Sequence, residues 1–331
     1  ERFSVHTGLR FRGAVAALAA TALLGGCAPA GLDPQGTAHP EIPTSATPTP
    51  QGPGSPSPTP TDTPSPTPPP PVSPSPSAST PAPDPGGSET PPDGQGLVPG
   101  SNHIASAAGY VHPAATVQGW LKGENLPTEK VVFLTFDDGP NPVTTPIILA
   151  ALRDADVHAT FFVLGNQLAQ APDVLLRTLE EGNSINLHSW SHDYGYLYPK
   201  RHANADRIED EYLRTVAEVR RIVGDDFDTQ GWRYPGGHMS WKSLGDADAR
   251  LAAHGVSWID WNADTRDSAP KASRPTTVDQ IVANATEPIR QGMRVAVVLG
   301  HDTREKKLTA DSVSSIIAAY KAAGYTFGVI S

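Results

Sequence analysis

The sequence predicts an α/β protein whose parallel strands are numerous enough to close into a barrel. Three observations predict it. From about residue 128, short apolar and β-branched runs alternate with segments of helical periodicity, the mark of repeated βα units. Each cluster of chemistry-bearing residues falls at the C-terminal end of one of those runs, where βα barrels gather their reactive groups. A long Pro/Ser/Thr-rich tract separates this region from the N-terminus, which leaves the fold to residues 101–331.

The elements follow in order. Residues 131–136 (VVFLTF) form a short apolar run ending at a Gly-Pro turn, and read as a buried strand. Ile147, Ile148, Ala151, Leu152 and Ala155 recur at helical spacing, and 158–164 is a second strand rich in aromatic and β-branched residues. A helix over 174–179 and a short strand over 184–187 lead into a histidine pair. The clearest helix is 206–223, with Ile208, Tyr212, Val216, Val219 and Val223 along one stripe. Strands at 230–233, 256–261, 295–299 and 326–330 complete the pattern, with a helix over 312–322.

The N-terminal part reads differently. Residues 1–27 carry Arg2, Arg10 and Arg12, then an apolar run too short to span a bilayer, then Leu24-Gly25-Gly26-Cys27. This is the layout of a secretory signal. Cys27, the chain's single cysteine, sits where a bacterial lipoprotein lipobox, which this segment resembles, places its acylated residue. The expectation is an exported protein of the bacterial cell envelope, lipid-anchored to the outer face of the cytoplasmic membrane, or secreted if the lipobox is not used. With one cysteine no intramolecular disulfide is available. Residues 28–100 hold 24 of the 35 prolines and no Lys or Arg, so they read as a disordered stalk. In polyproline conformation it would reach on the order of 200 Å. Residues 101–127 read as an N-terminal extension of a catalytic domain at 128–331. That region is mildly acidic without basic runs, which argues against nucleic acid as a partner and gives no reason to expect direct binding to anionic lipid.

Four strings carry the chemistry: TFDDGP at 135–140, HSWSH at 188–192, RYPGG at 233–237 and LGH at 299–301. Asp137-Asp138-Gly139-Pro140 suits a plain turn, yet adjacent carboxylates at a strand end can also diverge, one to a metal and one to water. His188 and His192 could be unrelated surface histidines; on a helical turn their spacing would put both imidazoles on one face. With Asp138 they would make a two-His, one-carboxylate set with open positions for water and substrate. Ser189 and Ser191 lack a nucleophile-elbow context. Arg233 could be a structural ion-pair donor, and His301 with an acidic partner is a candidate proton donor.

Together these strings resemble the polysaccharide deacetylase family, also called the NodB homology domain or carbohydrate esterase family four, over about 128–331. Residues 159–165 (ATFFVLG) are similar to its second strand. The resemblance implies a distorted (β/α) barrel that removes acetyl groups using one divalent metal ion, commonly Zn2+, with Co2+, Ni2+ or Mn2+ as alternatives. It implies Asp138, His188 and His192 as metal ligands, Asp137 as general base, Arg233 as its orienting partner and His301 as proton donor. Asp267 would support the histidine or the arginine. Leu299 would line the acetyl-methyl pocket and the Gly236 N–H would help hold the oxyanion; Tyr234 is a further substrate-facing candidate, and Trp261 is the candidate for the hydrophobic wall that Ser268 does not supply. Three positions depart from the family pattern: Ser268 stands where Trp is common, RYPGG replaces RPPYG, and Asn186-Leu187 replaces Gly-Asn. A lipid anchor followed by a long stalk would place the domain within reach of peptidoglycan, whose N-acetylated sugars are the expected substrate, acted on by a monomer. Chitin oligosaccharides, acetylxylan or exopolysaccharide are the alternatives, and a catalytically silent glycan-binding protein of the cell wall is the reading from another class.

Overall fold

A computed structural model describes residues 96–331. The signal-like segment, Cys27 and the proline-rich tract up to residue 95 lie outside the described residues. The strands are β1 (Val111–His112), β2 (Val131–Asp137), β3 (Thr160–Val163), β4 (Ser184–Leu187), β5 (Gly231–Trp232), β6 (Ser257–Trp258), β7 (Ala263–Asp264), β8 (Val295–His301), β9 (Thr326–Phe327) and β10 (Val329–Ile330).

Eight of them form one parallel sheet ordered β6-β5-β4-β3-β2-β8-β7, with β9 also pairing to β2. The sheet curls into a half-barrel, its edges at β6 and β7, so the expected distorted barrel is realised as an open one. β2 is buried along all seven residues, as a central parallel strand covered on both faces requires. Its two-residue period sorts the side chains. Val132, Leu134 and Phe136 face the helical layer, while Val131 and Phe133 join Phe162, Val295 and Val297 in the inner core. Continuing that inner row past Phe133 leads to Thr135 and Asp137, and on β8 past Val297 to Leu299 and His301.

The segment before the barrel is part of the fold. β1 pairs with β10, and Ala114 and Val117 of the helix Ala114–Leu121 pack into the inner core. Residues just ahead of 101 already belong to the fold: Gly100 N–H donates to Asp226 O at 2.7 Å, and Leu97 bridges to Ile104. Several boundaries differ from expectation, the strand expected over 256–261 being only Ser257–Trp258 and that over 158–164 only Thr160–Val163. The run 326–330 is split at Gly328, where a side chain would overlap His112 and Phe133. The last helix starts at Lys307 rather than 312, and Thr309 and Ala310 of its first turn are already buried with Val313. β7 is only two residues long, too short for any periodic signal.

Candidate active site

The residues of TFDDGP reach the site because β2 ends there. Asp138 adopts the left-handed φ of 77°, and its Oδ1 and Asp137 Oδ2 lie 3.6 and 3.7 Å from the same His188 Nε2. Gly139 must be glycine, since a methyl group on it would overlap the buried Asp302 carboxylate. The turn is anchored by Leu164 N–H donating to Gly139 O at 2.9 Å.

The HSWSH segment is an irregular loop and not the helical turn expected from its i/i+4 spacing. Ser189 and His192 take left-handed φ values of 84° and 56°. Buried Glu211, on the helix Ala205–Val223, explains why: it accepts from the N–H groups of Trp190 and Ser191 at 2.9 and 3.1 Å and from Ser191 Oγ at 2.6 Å. Ser189 Oγ accepts from His192 N–H at 3.0 Å. Both serines therefore shape the loop, in keeping with the absence of a nucleophile elbow.

The loop and the turn bring three ligand atoms together. His188 Nε2 and His192 Nε2 lie 3.6 and 3.7 Å from Asp138 Oδ1. That oxygen is buried with no hydrogen-bond partner. Metal bonds of about 2.0–2.2 Å at near-tetrahedral angles separate ligand atoms by roughly 3.3–3.5 Å, so the trio fits a divalent cation closely. His188 Nδ1 lies 2.8 Å from Arg233 O. A carbonyl can only accept, so Nδ1 carries the proton and Nε2 offers its lone pair to the site. Burial holds the His188 imidazole well below its ordinary pKa, in the neutral form a metal needs.

Asp137 sits beside this trio, its Oδ2 3.7 Å from His188 Nε2. Its Oδ1 accepts from Arg233 Nη1 at 2.7 Å. Arg233 is fully buried with a partner for each of its three guanidinium nitrogens, donating also to Thr135 Oγ1, Ile259 O and Asp260 O, with its guanidinium 4.0 Å above the Phe162 ring. Burial pushes the Asp137 carboxyl up and Arg233 and His301 pull it back, leaving a pKa of about 6.

His301 faces Asp137 from β8. Asp267 Oδ1 accepts from its Nδ1 at 2.7 Å, and Oδ2 accepts from its backbone N–H and from Thr309 Oγ1. Asp267 thus serves the histidine and not the arginine. Burial lowers the imidazole pKa, but the Asp267 bond and charge, with Asp137 and Asp138, outweigh it and raise the pKa to about 9. Burial alone would raise Asp267; the bonds from His301 and Thr309 bring it down to about 2. Ser268 Oγ accepts from Lys306 Nζ at 2.9 Å beside the ring.

A cavity of about 350 Å³ opens over these groups, lined also by Tyr194, Gly236, Trp261 and Leu299. One expected lining residue is misplaced. Tyr234 is fully buried and its Oη donates to Asp248 at 2.8 Å, because the residue following Arg233 points into the helical layer. Glu211 and Tyr194 were not anticipated. Glu211 had a signal, a lone carboxylate on the apolar stripe between Ile208 and Tyr212. Tyr194 had none.

Comparison with known proteins agrees with this geometry. Residues 124–256 match the polysaccharide deacetylase family. A peptidoglycan-N-acetylglucosamine deacetylase of Listeria monocytogenes is 32% identical over 204 residues, covering 61% of this chain and 38% of that protein. The chain thus spans well under half of that relative. A chitooligosaccharide deacetylase of Bradyrhizobium is 33% identical over 184 residues, covering 55% of this chain and 77% of that protein. The structure of a Streptococcus mutans CE4 esterase superposes with a TM-score of 0.68 at 43% identity, covering 72% of this chain and all of that one.

Proposed function

The chain belongs to the polysaccharide deacetylase family, and from that premise we infer that it is a hydrolase that removes acetyl groups from cell-wall polysaccharide, with peptidoglycan amino sugars as substrate. The observation that carries the reading is the convergence of Asp138, His188 and His192 within ligand distance of one another, beside Asp137 in a single cavity. When bound there, a divalent cation would polarise the acetyl carbonyl and acidify a water molecule. Two imidazoles and a carboxylate suit zinc, with cobalt, nickel or manganese as substitutes.

The chain's own groups do the rest. Asp137 takes the proton of the attacking water through Oδ2, while Arg233 holds Oδ1 and keeps the carboxylate aimed. The Gly236 N–H receives the charge that develops on the acetyl oxygen. His301, protonated and fixed by Asp267, gives its proton to the departing sugar nitrogen. Leu299 and Trp261 line the cavity where the methyl group would sit. The peptidoglycan assignment draws on the name of the Listeria relative and on the expected export signal. Acylation at Cys27 followed by the long stalk would hold the domain at the outer face of the cytoplasmic membrane, within reach of the wall.

Acetate release from purified peptidoglycan, chitin oligomers and acetylxylan, each with and without chelator, tests the reading. Chelator-sensitive release, fastest on peptidoglycan, is expected. Release only from chitin oligomers would transfer the assignment to the chitooligosaccharide class, and none from any substrate would leave a glycan-binding role.

A further inference from the structure

Tyr194 follows the second histidine of HSWSH and opens the short helix Tyr194–Leu197, capped by Asp193. Its ring lies 5.0 Å from that of His192 and 5.2 Å from that of Trp241, and it remains 45% exposed. Two features make it unlike an ordinary surface tyrosine. The side chain lines the cavity shared by Asp138, His188, His192 and Gly236. Its Oη also reaches the RYPGG turn: a Cβ placed on Gly236 would lie 3.3 Å from it. The glycine therefore leaves room for the phenol.

We propose that Tyr194 is a further catalytic residue, whose hydroxyl donates a hydrogen bond to the acetyl oxygen as it becomes an oxyanion. This rests on the deacetylase reading. In the addition step water forms a C–O bond to the acetyl carbon and loses a proton to Asp137, and the carbonyl π pair moves onto oxygen. That oxygen then has two donors on one wall of the cavity, the Gly236 N–H and the Tyr194 O–H. Collapse returns the pair, breaks the C–N bond and sends the nitrogen's electrons to the proton of His301. The phenol itself transfers no proton. Its contribution is larger for the charged oxygen than for the planar amide, which is the condition for raising kcat.

The competing role, a ring on which a sugar stacks, needs no hydroxyl. Tyr194→Phe separates the two. The expected result is a fall in kcat of roughly 10²-fold with KM within about twofold and metal content unchanged. Affinity for a methylphosphonamidate-bearing glucosamine oligomer, a tetrahedral mimic, should fall in parallel while affinity for the N-acetylated oligomer holds. A Phe variant within about threefold of wild-type kcat, or with its loss confined to KM, would overturn the proposal and leave the deacetylase reading standing. A wild-type protein that releases no acetate would overturn both.

Discussion

Asp137 and His301 are register partners across β2 and β8, so the sheet's own hydrogen bonds fix the spacing of base and acid. In-register residues on adjacent parallel strands lie about 4.8 Å apart and point to the same face. Each side chain is then tethered from behind, Asp137 by Arg233 and His301 by Asp267. Asp137→Asn or His301→Ala should each lower kcat by roughly 10²-fold or more, and the double variant should lose little beyond the worse single one. Additive losses in acetate-release assays would show that the two act independently.

The pH profile follows from the same pair. Asp137 must be ionised, so kcat/KM falls as pH drops through its pKa of about 6. His301 must be protonated, so the rate falls again as pH rises through about 9. A bound cation favours the deprotonated form of both groups and draws both limbs toward acid. Asp267→Asn removes the charge that holds the imidazolium, so the alkaline limb should move further down while the acid limb stays. An alkaline limb unmoved in that variant would detach Asp267 from His301.

Arg233 is a buried charge whose removal strands another. Arg233→Met should cost roughly 3–5 kcal/mol in urea unfolding, because Asp137 loses its counter-charge inside the fold. The Asp137 carboxyl should rise, moving the acid limb of kcat/KM to higher pH. A variant of unchanged stability with an unmoved limb would mean that Asp137 is held by other groups.

Glu211 touches no ligand, yet it gathers three donors of the loop that carries both histidines. Glu211→Gln keeps the shape but loses the charge and some acceptor capacity. Metal affinity, measured by chelator competition, should fall by roughly 10–100-fold with the helical signal intact. Wild-type affinity in that variant would leave the loop's shape to its backbone contacts with residues 165 and 166.

Much of this was legible in the sequence because strand ends and motifs coincide. Residues 131–137 announce themselves as a buried parallel strand, and the chemistry at its end follows directly. The helix 205–223 was equally plain, from its apolar stripe. What escaped depended on through-space closure. The histidine loop owes its shape to Glu211, twenty residues further on, and spacing alone suggested a helical turn instead. Tyr234 stands in the RYPGG string among the expected substrate-facing residues, but consecutive residues on extended chain face opposite ways, and only the fold says which way is in. Tyr194 belongs to no motif, and its place beside Gly236 emerges only when two loops meet.

The central claim is tested most directly by titrating chelator-stripped protein with Zn2+ while recording bound metal and acetate release from peptidoglycan together. Both signals should rise in proportion and saturate at one ion per chain, and Asp138→Ala should lose both. Undiminished release from the stripped protein, or an Asp138→Ala variant that still binds a full equivalent, would contradict it.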